Sequence, residues 1–177
     1  MKQISNKLIS TVIAGLFAAT GGVALAQSGP NDAQIAGIVV TANSVDVDAG
    51  KLAEKMASRK EVKAFANQMV TDHTGVNQQA VALVKKLNVT PEDSDVSKSL
   101  KQGGDENIAK LKQLKGKDFD KAYVDHEVAY HQAVLDALDK TLIPNAQNSE
   151  LKETLVKARP AFVAHLEHAK HIQSSLK

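Results

Sequence analysis

Three histidines and two carboxylates interrupt apolar helical stripes in this sequence, and together those residue types can hold a transition-metal ion. In the stretch around AFANQMVTDHTGVNQQAVALV the apolar stripe is Val62, Phe65, Met69, Val76, Ala80, Leu83 and Leu87. His73 sits near its centre and Asp72 lies towards one edge. The stripe Ile35, Val39, Ala42, Ala49, Ala53, Met56 is broken by Asp46, while Asp48 points elsewhere. A third stripe, from Leu151 and Leu155 through Phe162 to Ala169, Ile172 and Leu176, is broken by His165; His168 and His171 rotate progressively towards solvent. On a fourth helix the face of Tyr123, Val124, Val134, Leu135 and Leu138 also carries Glu127 and His131, one helical turn apart and so stacked, with His126 on an alanine edge.

Asp46, His73, His131 and His165 each fall near the middle of their own helical pattern. Mid-helix residues stay level whether neighbouring helices run up or down, so assembly brings Asp46, His73, Glu127, His131 and His165 towards one layer of the core. A buried polar group without a partner costs roughly 1–3 kcal/mol, and an unpaired charge more. Two solutions exist. The carboxylates and imidazoles pair with one another, or a divalent ion replaces the shared protons. Three imidazoles with one or two carboxylates suit zinc, iron, copper, nickel or manganese better than calcium. A ferritin-type di-iron centre needs Glu-x-x-His on two helices. The chain has none; it has Glu127-x-x-x-His131 instead, so a mononuclear site is the better version.

Five helical segments position these residues, at about 32–57, 58–87, 92–114, 118–142 and 149–176. Ser58 and Glu61 have capping-box spacing at the start of the second. Thr90 and Pro91 suit the cap and first position of the third, where Gly103-Gly104 weakens the middle. Pro160 faces outward in the last helix, where it should free the Val156 carbonyl and kink the helix before His165. Tyr123 and Tyr130 flank Glu127 and offer hydroxyls, though core packing is their plainer role. The fold expected is all-α: a ferritin-like four-helix bundle with an additional short crossover helix, and a plain up-down bundle of five helices as the alternative.

Ahead of that domain, at 32–176, lie a flexible lead at 27–31 and a signal peptide at 1–26. Lys2 and Lys7 form a basic start, Leu8 to Ala19 an apolar run, and Ala24-Leu25-Ala26 a small-x-small cleavage site. The run is too short for a spanning helix, so cleavage after Ala26 is expected to release the chain into a periplasm with no transmembrane segment. Removing residues 1–26 takes away two of the 22 basic residues and leaves 20 of each sign, which argues against nucleic acid as a partner. With no cysteine, stability must come from packing alone.

The segments ANSVDVDAGKLA, VKAFANQMVTDH, FDKAYVDHEVAYHQAVLDAL and LVKARPAFVAHLEHAK, in this order, resemble the bacterial envelope family known as domain of unknown function 4142. The resemblance covers roughly residues 33–172 and implies an exported ferritin-like bundle. It implies an acidic residue at Asp46, the pair Asp72-His73, and histidines at His131 and His165. Glutamate is more usual at the first position, so Asp46 shortens the reach there.

Three functional readings follow. The leading one is a periplasmic bundle binding a mononuclear transition metal through Asp46, His73, Glu127, His131 and His165, for metal sequestration or envelope stress tolerance. The second is a non-enzymatic structural or interaction protein with a metal-free histidine–carboxylate network. The third is a metal-dependent oxidoreductase. The sequence names no protein partner, and nothing in it resembles a nucleophile elbow, phosphate loop or substrate cleft.

Overall fold

The computed structural model describes residues 29–176, so the signal segment and residues 27 and 28 of the lead lie outside the described residues. In chain order the elements are α1 (Asp32–Met56), α2 (Lys60–Lys86), α3 (Asp95–Leu111), α4 (Gly116–Ala137), a π-helical turn (Leu138–Leu142), α5 (Ile143–Asn145) and α6 (Ser149–Ser175). The all-α expectation holds: the described residues contain no strand, and none of their helices is long and apolar enough to cross a membrane.

The helix starts are fixed by side chains that satisfy the first free N–H groups. Asn31 caps α1 reciprocally with Gln34. Asn148 caps α6 by accepting from Glu150 and Leu151. Two expected starts are corrected. Ser58 and Glu61 form no capping box; α2 begins at Lys60, and its N-terminal turn is held by Asp120 from α4. That carboxylate accepts from the N–H groups of Ser58 (2.8 Å) and Arg59 (3.0 Å) and from the Ser58 hydroxyl. A buried acceptor from another helix outcompetes the local pattern. Likewise Thr90 and Pro91 do not open α3, which starts four residues later with Ser94 and Ser97 as reciprocal caps. Residues before it cross α1, where Glu92 donates its N–H to the Ala33 carbonyl.

The fourth segment starts two residues earlier than expected, at Gly116, whose φ of +57° suits glycine. Past Ala137 it widens into the π turn, where Ile143 N–H bonds to the Leu138 carbonyl and both Leu138 and Leu142 are buried. Pro160 is exposed, as expected, and α6 runs through it.

Short links join α1 to α2 and α4 to α6 as antiparallel pairs, and the crossover between the pairs carries α3. At one end of the α2–α6 seam Lys86 pairs with Glu150; at the other Arg59 bonds to the Ser175 carbonyl, so these helices are antiparallel too. α3 lies against α1 at Gly104, where a Cβ would meet Val45 at 2.7 Å. The glycine that weakens α3 as an isolated helix thus allows it to dock. The apolar core falls into two clusters. One is built on Val62, Phe65, Met69, Phe119, Tyr123 and Ile172; the other on Ile35, Ile38, Leu135, Leu155, Phe162 and Leu166. Along α1, α2 and α4 the polar residues singled out above fall between the two clusters, and on α6 His165 lies beside Leu166, where one cluster gives way to Ala169 of the other.

Replacing Asp120 with Ala should orphan the Ser58 and Arg59 N–H groups and cost about 2 kcal/mol in urea unfolding with helix content unchanged. A loss below about 0.5 kcal/mol would contradict this capping role.

Candidate metal centre

All five residues expected at the site are buried, and the fold brings them together: Asp46 from α1, His73 from α2, Glu127 and His131 from α4, His165 from α6. The shorter reach of aspartate is sufficient. Asp46 Oδ2 lies 2.9 Å from His73 Nε2 and 3.5 Å from His131 Nε2. The three imidazole rings pack around one another with centroids 5.2–5.6 Å apart. One ring nitrogen from each lies within 4.8 Å of the others, and Asp46, Glu127 and His131 form a second such trio.

The outer contacts fix the tautomer of each ring. His73 Nδ1 is 2.7 Å from Asn43 Oδ1, whose amide Nδ2 already donates to the Val39 carbonyl, so His73 donates from Nδ1. His131 Nδ1 donates to the Glu127 backbone carbonyl at 3.0 Å. His165 Nε2 donates to Asp72 Oδ2 at 2.9 Å. The remaining nitrogens, His73 Nε2, His131 Nε2 and His165 Nδ1, are buried and lack a hydrogen-bond partner among the described residues, as do both Asp46 oxygens and Glu127 Oε2. The His73–Asp46 contact is close, but it lies off the line a hydrogen bond would take. A metal-binding histidine commonly donates its other N–H to a carbonyl or carboxylate, which fixes the ring and leaves a lone pair for the ion. All three rings meet that description. A tetrahedral ion with bonds of about 2.1 Å holds its donors roughly 3.4 Å apart, so modest inward rotations would close the site.

Burial alone would raise the Asp46 carboxyl, but His73, with His131 and His165, outweighs it and holds the group below its usual range. Glu127 goes the other way: burial, then the charge of Asp46, pushes its carboxyl well up. Two carboxyl groups sharing an apolar layer are thus pushed in opposite directions. Burial lowers His131 to about 4 and lowers His165 as well, keeping both rings neutral donors.

Asn43 and Asp72, which orient two of the rings, carry no site role in the sequence reading. Asn43 was legible in principle. It lies three residues before Asp46 on the same face and is buried, whereas Ala42, placed in the stripe, is half-buried. Tyr130 donates its hydroxyl to the Ala42 carbonyl and so braces α4 against α1. Tyr123 is a core residue beside Glu127, its hydroxyl pushed well up by burial and then by the Glu127 charge. His168 and His171 are exposed, as expected; His168 contacts Gln68 at the surface.

These shifts give opposing pH dependences. His131, lowered to about 4 from 6.5, contributes stability that is present above 6.5 and lost as pH falls towards 4. Glu127, raised above 4.5, contributes stability that is present below 4.5 and lost as pH rises through its folded value. A Glu127→Gln variant removes the second dependence. Its metal-free form should gain more stability between pH 4 and 6.5 by denaturant titration than wild type does. Superimposable profiles would contradict these opposing shifts.

Comparison with known proteins agrees with this architecture. A solved structure described as "CopM in the Cu(II)-bound form" superposes with a TM-score of 0.64 at 11% sequence identity, over 84% of this chain and 99% of that chain, a likeness of fold alone. No curated protein matches the sequence. The family model described as "Domain of unknown function (DUF4142)" matches residues 18–172, nearly the whole chain, and the protein belongs to that family.

Proposed function

We propose that this protein holds one divalent transition-metal ion in its core, bound by His73, His131 and His165 with Asp46, and Glu127 beside them as a fifth ligand or a protonated neighbour. The observation that carries the reading is the set of three buried imidazole nitrogens whose lone pairs have no partner while the opposite nitrogens are all engaged. A nitrogen-rich set with carboxylate oxygen and no thiolate suits Cu(II) or Zn(II), and Cu(II) binds such donors more strongly. The likeness to a fold solved with Cu(II) is consistent with that choice. The clustered side chains are at most 5% exposed, which favours retention of an ion over turnover of a substrate and sets the oxidoreductase reading last. With the amino-terminal signal pattern, we place this activity in the periplasm, as metal sequestration or envelope stress tolerance.

The metal-free network is the second reading. The 2.9 Å approach of His73 Nε2 to Asp46 favours it, since a proton there would balance the carboxylate. The two readings separate on untagged protein titrated with Cu(II) and with Zn(II) by calorimetry and thermal melting. Metal binding predicts one equivalent bound and, at about a hundredfold excess over Kd, about 2.7 kcal/mol of added stability. The His73→Ala/His131→Ala variant should lose both effects. Unchanged melting with and without either metal, together with destabilisation of that variant in chelated buffer, would establish the proton network instead.

A further inference from the structure

The side chains of Asp46, His73, Glu127 and His131 are sealed, at most 2% exposed. His165 is nearly so at 5%, yet its Nε2–H reaches outward to Asp72, whose side chain is 41% exposed. Asp72 therefore touches both the cluster and solvent. The open groove of about 720 Å³ between α1 and α2 offers no such link. It is lined by Ser44, Asp48, Thr74 and their neighbours and includes none of the five clustered residues. The α2–α6 seam, in contrast, carries a second polar pair one turn further on, His168 Nδ1 and Gln68 Oε1 at 3.1 Å.

An aqueous dication reaching a sealed layer needs an anionic group that meets it in water and a side chain that can move aside. We propose that Asp72 captures the incoming divalent ion and that the Asp72–His165 pair is the gate through which it reaches the core. The proposal rests on the metal reading above. The exposed carboxylate attracts the ion by charge. As its oxygens turn to the ion, the hydrogen bond from His165 Nε2–H is released, and the ring is free to swing from the α2–α6 seam. When the ion has passed, Asp72 accepts that N–H again, which restores the tautomer and leaves the Nδ1 lone pair for the metal. Asp72 is thus a positioning residue with a kinetic role as well as an orienting one.

The test is stopped-flow uptake of Cu(II) by wild type, Asp72→Asn and Asp72→Glu. Asparagine keeps an oxygen that can accept from His165 but removes the charge. Asp72→Asn should slow association about tenfold at low salt, with the gap narrowing as ionic strength rises. Asp72→Glu should restore the rate. If Asp72 only orients His165, the Asn variant will associate at the wild-type rate, and the gate is overturned while the metal reading stands. A wild-type chain that takes up no Cu(II) overturns both.

Discussion

A buried lone pair must be given a proton or an ion, and the middle layer of this protein is built around that requirement. Desolvating an imidazole nitrogen or a carboxylate oxygen without a partner is costly, and here several such atoms share one layer. The cost is offset on one side only. Asn43, the Glu127 carbonyl and Asp72 each accept from one ring, which turns the opposite nitrogen of each histidine away from a proton donor. The energetic demand of the layer is thus concentrated in one place.

The rest of the fold can be seen as the means of holding that layer. Apolar clusters above and below it supply the packing that tolerates a polar interruption. The antiparallel pairs keep mid-helix residues level. Close approach at Gly50, where a Cβ would meet Val70 at 2.8 Å, and at Gly104 brings α2 and α3 against α1 on either side of Asp46. Asp120 and Tyr130 tie α4 to the α1–α2 pair, which fixes the height of Glu127 and His131 relative to Asp46. Rigidity of this kind suits a site whose donors must stay within tenths of an ångström of productive geometry.

Much of this was legible in the sequence because it depends on a short-range period. The apolar stripes of the four long helices and the polar residues that break them follow from helical geometry, so Asp46, His73, Glu127, His131 and His165 could be named without coordinates. What was not legible depends on contacts between distant residues. The start of α2 is set by Asp120, 61 and 62 positions away in the chain from the groups it caps, so the local Ser58 pattern misled. The start of α3 is delayed because Glu92 is engaged by α1. Asp72 looked like a stripe-edge residue, and only the orientation of the His165 ring gives it a part in the site. The π turn after Ala137 is likewise invisible to a pattern that assumes a uniform helical repeat.

The central claim is that the three free imidazole nitrogens converge on one ion. The most direct test is X-ray absorption at the metal edge of the Cu(II)-loaded, untagged protein. The account predicts a first shell of three imidazole nitrogens at about 2.0 Å with their outer-ring scattering, plus one or two oxygens. A shell of oxygens alone, or of one imidazole, would place the metal elsewhere on the protein and contradict it.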